Sequence, residues 1–169
     1  MINLGRGDEA RIEYENAAET LGQIGDLRYA EAIQGLATVE LRAGNITGAV
    51  KLYDEAVRFL EIHEGGLSSS VASVLSASGL SLVSLGKFSA GEARIERALE
   101  IQRELFGNEH PTVGVTLANL AKSAYLQRDF SRTEEVCLHA LAVFESLENL
   151  THPKAITVQM TRAGVLFQQ

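Results

Sequence analysis

The amino-acid sequence predicts an all-α chain of about eight helices stacked as antiparallel hairpins, and three observations carry that prediction. Matching residues return every 42 positions, the apolar residues inside each unit are spaced for helices, and the composition suits helices better than sheets. Only 2 of the 169 residues are Pro, none is Trp and 6% are aromatic, while Ala, Leu and Glu are frequent. That balance favours packed helices over sandwiches and barrels.

The period is visible without gaps. His110-Pro111 returns as His152-Pro153, Ala56 as Ala98 and Ala140, and Ile46 as Phe88 and Phe130. Sliding residues 72–111 onto 114–153 pairs Leu75 with Leu117, Ser81 with Ser123, Phe88-Ser89 with Phe130-Ser131, Glu92 with Glu134, Ala98-Leu99 with Ala140-Leu141 and Leu105 with Leu147. A period of this length is the mark of a stacked-repeat architecture, in which each unit covers its apolar face only against its neighbours.

Taken in chain order, the first helix is expected over 8–24, where Tyr14 and Ala17 echo Tyr53 and Ala56 at the shorter step of 39. Over 28–43, Ile33, Leu36, Ala37 and Leu41 share one face, and over 46–63, Ala49, Leu52, Tyr53, Ala56 and Leu60 share another; both spacings are helical. Ala43-Gly44-Asn45 breaks the two apart, because a glycine in the left-handed region ends a helix and a short turn reverses the chain. Gly86-Lys87 and Arg128-Asp129 are its counterparts, so 69–85 pairs with 88–105 and 111–127 with 130–147. Ser68, Ser69 and Ser70 offer capping hydroxyls to the fourth helix, whereas Pro111 and Pro153 suit the first turns of the sixth and of the last, 153–168. Gly65, Gly107 and Asn149 follow the second helices and tolerate a positive φ. The expected organisation is one array over 1–169: the second helix of a partial repeat at 8–24, repeats at 28–65, 69–107 and 111–149, and the first helix of a partial or capping repeat at 153–168.

Charge and motifs exclude several functions. A net charge of −7 without a run of Lys and Arg repels phosphate backbones, so nucleic acid is not an expected partner. Cys137 is the sole cysteine; it allows no internal disulfide, fits a reducing intracellular compartment, and at a core position of the repeat is expected to be a buried, inert thiol. No apolar run approaches a membrane span and no signal-peptide core follows Met1, so a soluble chain is expected, its two ends resembling cuts from something longer. His110 and His152 sit one repeat apart, too distant to share a metal ion, and are expected to serve as turn and capping residues; His63 and His139 are expected at the surface or in packing. The alternating Arg and Glu of 92–104 suit a salt-bridged solvent face. No phosphate loop, catalytic carboxylate pair, nucleophile elbow or zinc spacing is present, so neither an enzyme nor a cofactor or metal is expected.

Each hairpin resembles a tetratricopeptide repeat. The resemblance rests on Ile33, Leu36, Ala37, Ala49, Tyr53 and Ala56, then Leu75, Gly79, Gly91, Ile95 and Ala98, then Leu117, Leu120, Ala121, Thr133, Cys137 and Ala140. The period, the stretch Ala98-Leu99-Glu100-Ile101 through Leu105-Phe106-Gly107-Asn108-Glu109-His110-Pro111, and Leu117-Ala118-Asn119-Leu120-Ala121 look like the long repeat of kinesin light chains and their relatives over 28–169. Ile33-Gln34-Gly35-Leu36-Ala37 and Leu75-Ser76-Ala77-Ser78-Gly79 lack the asparagine of that pattern.

The resemblance implies a right-handed superhelix that works as a protein-binding scaffold or adaptor, with a peptide or helical segment of a partner in its concave groove. Mapped by the resemblance, the groove contacts are Gln34, Thr38 and Arg42, then Ser73, Ser76 and Leu80, then Val115, Asn119, Lys122 and Leu126. An inward Asn119 amide would pair with the N–H and C=O of a bound backbone; the alternatives are a solvated side chain or a local bond between helices. Lys122 and Asn119 alone do not make a clamp for a C-terminal carboxylate, and Leu80, Val83, Val115 and Leu126 point to an apolar or helical ligand. The alternative functions are self-association through end helices and a regulatory arm of a larger protein.

Overall fold

A computed structural model describes residues 4–168, and all of its regular elements are helices: α1 Leu4–Ile24, α2 Arg28–Arg42, α3 Ile46–Glu64, α4 Ser69–Ser84, α5 Phe88–Phe106, α6 Pro111–Leu126, α7 Phe130–Ser146 and α8 Pro153–Gln168. Seven agree with the expected spans to within a residue or two. The first differs, because α1 begins at Leu4 and takes Gly5 and Gly7 into its opening turns; a Cβ at either would meet nothing, so glycine there lowers helix propensity without a packing reason to stop the helix.

The helix ends follow from side chains near the turns. Asn45, Ser68, His110 and Asp129 accept hydrogen bonds from backbone N–H groups of the first turns of α3, α4, α6 and α7, which would otherwise be unsatisfied. His152 does the same for α8, accepting from Lys154 N at 3.1 Å. Both histidines are therefore caps, as their place before proline implies. The chain reverses within the three hairpins through Gly44 (φ 81°), Gly86 (φ 73°) and Arg128 (φ 61°). The left-handed residue after α7 is Glu148 (φ 52°) and not Asn149, because that helix ends in an extra tight turn that sends Asn149 N back to Phe144 O.

Helices α2–α3, α4–α5 and α6–α7 form hairpins, and each hairpin packs on the next. Among the first helices α6 also touches α4 and α8 directly, whereas no comparable contact joins α3, α5 and α7 among the described residues. Helices crowd on the inside of a curved stack and spread on its outside, so the first helices form the inner wall. The core has two apolar clusters that meet in the α4–α5 hairpin: Val74, Leu75, Ala98 and Ile101 join the one reaching back to α1, while Val83, Ile95 and Leu99 join the one reaching on to α8.

On the outer side long side chains bridge the spread helices. Arg94 of α5 pairs with Asp54 of α3, Arg97 with Glu61 at 2.5 Å, and Arg132 of α7 with Glu92 at 3.0 Å and Glu96 at 3.4 Å. Glu92, Arg94, Glu96 and Arg97 thus tie neighbouring repeats together instead of pairing along their own helix. Glu92 also accepts from Ser123 and Gln127; burial would raise its pKa, but these bonds and Arg132 bring it below the ordinary glutamate range.

Candidate partner-binding groove

Two hollows open on the inner wall. The smaller, about 310 Å³, lies between α2 and α4 and takes Gln34 and Ser73 into its lining, with Leu60 of α3 also exposed to it. The larger, about 470 Å³, lies between α4 and α6 and brings together Ser73, Ser76, Leu80, Val115 and Asn119. It is mostly apolar, through Ala77, Leu80, Phe106, Pro111 and Val115, and its size is that of a small ligand site.

The remaining mapped residues lie outside both hollows. Thr38 is exposed and turns its hydroxyl back on Gln34 O at 3.0 Å. Arg42, Lys122 and Leu126 are exposed near or toward the C-terminal ends of their helices. Val83 is not a groove residue: it is buried in the α4–α5 crossing, next to the backbone of Gly91, so of the four apolar residues expected in the groove only Leu80 and Val115 line the hollow.

Asn119 is 6% exposed and already partnered. It donates from Nδ2 to Ser76 Oγ at 3.0 Å, and its Oδ1 accepts from Lys154 Nζ at 3.3 Å. The local-bond alternative therefore describes this state, and the amide ties α4, α6 and α8 together across the inner wall. Lys154 is half-buried, and burial together with the like charge of Lys122 lowers its pKa. No carboxylate faces that ammonium within salt-bridge distance among the described residues.

Three residues of the larger hollow, Gln102, Phe106 and His152, escape the mapping because they come from elsewhere than first-helix faces. His152 lines the larger hollow while its ring stacks on Phe144 at 5.1 Å. Gln102, on the second helix α5, reaches the same hollow and is 6% exposed. One signal does single it out: a 42-residue step puts Gln102 in register with Leu60 and Phe144, both buried apolar core residues. A glutamine in such a column is out of place unless its amide has a use.

Cys137, His63 and His139 line neither hollow. Cys137 is fully buried, and burial pushes its thiol up to about 11, far from a thiolate nucleophile. His63 stacks on Phe59 at 4.0 Å and bonds to its carbonyl at 2.7 Å, and His139 is exposed.

Comparison with known proteins places this geometry. The tetratricopeptide repeat family model matches residues 70–132. No curated protein matches the chain by sequence. Among solved structures, BtubC (BKLC) from P. vanneervenii superposes with a TM-score of 0.83 at 21% identity, over 95% of this chain and 65% of that one; the chain thus spans less than two thirds of that protein's length. A Podosopora anserina protein of nearly identical TPR-like repeats, named for the kinesin light chain, superposes with a TM-score of 0.75 at 16% identity, over 95% and 78% of the two chains. Such repeats are protein–protein interaction scaffolds and typically not enzymes. No helix among the described residues is long and apolar enough to cross a membrane. Residues 70–132 thus match the tetratricopeptide repeat family, and the described residues share the fold of solved structures that include TPR-like repeats named for a kinesin light chain.

Proposed function

We propose that residues 1–169 act as one repeat array, with repeats at 28–65, 69–107 and 111–149, that holds an extended or helical segment of a partner protein on its inner wall. The observation that carries this reading is the larger hollow, which exposes Leu80, Val115 and Phe106 to solvent beside hydroxyls and amides. Apolar walls supply affinity and the few polar groups fix register. Leu80→Asp puts a charge on that wall, and desolvating it costs at least about 1.4 kcal/mol, or roughly tenfold in Kd. Leu80→Asp and Val115→Asp are expected to weaken binding of a selected peptide by that factor or more, with Tm near wild type, whereas Lys51→Glu on the exposed side of α3 leaves it unchanged. Fluorescence polarisation with labelled peptide measures this; unchanged affinity in both aspartate variants refutes the groove.

Self-association is a second reading, supported by α8. Its Ile156, Met160, Leu166 and Phe167 are exposed, Met160 by 71% and Phe167 by 88%. Their counterparts one repeat earlier include Gly114 and Tyr125, which pack against Phe144 and Phe130 of α7. This face of α8 is built to receive a helix, and uncovered apolar surface of this kind marks an interaction site. A molar mass that rises with concentration in light scattering, and returns to that of one chain in Met160→Glu with Phe167→Glu, is the expected result. A constant single-chain mass for the wild type removes this reading.

A further inference from the structure

Gln102 carries an inference that rests on the groove reading and goes beyond it. Its side chain is more than nine-tenths buried, and its Oε1 has no hydrogen-bond partner. By contrast Ser76 and Asn119, buried in the same hollow, satisfy each other. An unpaired amide oxygen in a protein interior is costly, because the bonds it made to water are lost on burial and nothing replaces them. Leu60 and Phe144 show that an apolar side chain fits the same column of the repeat. Glutamine is therefore the less stable choice at this position in the free protein, and it lines the larger of the two hollows.

The hollow narrows what can reach that amide. Ser73 is exposed at its rim, Leu80 and Val115 are half-buried on its walls, and Gln102 is buried. Oε1 is closed off from water in the free protein, so only a side chain that enters between Leu80 and Val115 and turns the Gln102 amide toward itself can pair with it. Its stem would lie against Leu80 and Val115, and its end would meet a group that offers both an acceptor and donors. A carboxamide answers both at once, through a pair of opposed N–H···O bonds. A hydroxyl can bridge both groups only through bent, weaker bonds, and an aliphatic end leaves Oε1 unpaired.

We infer that the hollow between α4 and α6 is a socket for an asparagine or glutamine side chain of the partner segment, with Gln102 as its specificity-determining floor. Stability and binding should then move in opposite directions. Gln102→Leu, which restores the residue of the preceding repeat, is expected to raise Tm by about 2–4 °C and to abolish amide selectivity.

Randomised dodecapeptides displayed on phage are selected on the wild type and on Gln102→Leu. Wild-type binders should share an Asn or Gln at one position, and replacing it by Leu in the synthetic peptide should weaken binding about tenfold. On Gln102→Leu the same replacement should change affinity less than about twofold. In wild-type spectra the Gln102 side-chain NH₂ resonances should shift on binding. Binders that Leu80→Asp rejects but that show no amide preference, or that favour Asp and Glu, overturn the socket and leave the groove standing. Binders indifferent to Leu80→Asp, or none at all, overturn both.

Discussion

Phe144→Ala is expected to remove about 3–5 kcal/mol of stability, the range for deleting a fully buried aromatic ring. Phe144 is 0% exposed and the largest fully buried side chain among the described residues. Its ring lies against Gly114 of α6, where a Cβ would come within 3.0 Å of it, and stacks on His152. Deletion therefore opens a cavity and also frees the histidine that caps α8, so two helices lose their anchor to α7. Small proteins are stable by about 5–15 kcal/mol, so the loss is a large share of the whole. Because each repeat touches only its neighbours, the damage should stay local. Hydrogen exchange should show α6–α8 opening at much lower free energy while α2–α3 keep most of their protection. A loss under about 1 kcal/mol in urea, or uniform loss of protection along the chain, contradicts the expectation.

What the sequence shows of this molecule and what it conceals divide along one physical line. Helix positions depend on apolar spacing and on turn residues within a few positions, so Gly44, Gly86 and the two His-Pro pairs suffice to place the hairpins. Partners across the stack depend on the superhelix. Asn119 meets Ser76, 43 residues away, and Lys154, 35 residues away; the face of α6 on which it sits is legible, but whether a ligand or α4 and α8 take up its amide is not. The same holds for Arg132, whose carboxylates lie one repeat back. Val83 shows a different limit: on a helix with apolar residues nearly all round, such as α4, spacing does not separate the face toward α5 from the face toward the groove. Gln102 was legible only by reading down a column of the repeat instead of along a helix.

The close backbone approach of α4 and α5 yields the second large effect. A Cβ at Gly79 would lie 2.6 Å from Gly91 O, and one at Gly91 would lie 2.7 Å from Gly79 O and 3.0 Å from Val83 N. These neighbours are backbone atoms, which cannot rotate aside as a side chain does, so any substitution pushes α4 and α5 apart. Gly79→Val is expected to cost about 3 kcal/mol and Gly79→Ala or Gly91→Ala about 1–3 kcal/mol each, the range for overpacking a core. The equivalent positions hold Ala37 and Ala49 in the α2–α3 hairpin and Ala121 and Thr133 in α6–α7, all buried. The fold therefore has a wider hairpin geometry available that accepts a Cβ on both helices. Once the first alanine has forced α4–α5 toward that spacing, the second should meet little resistance. The double variant Gly79→Ala with Gly91→Ala should thus lose less than the sum of its parts, by about 0.5 kcal/mol or more, in a double-mutant cycle followed by urea denaturation. Strict additivity would mean that the two glycines are needed independently. A double variant as stable as the wild type would mean that the close approach is incidental to the repeat.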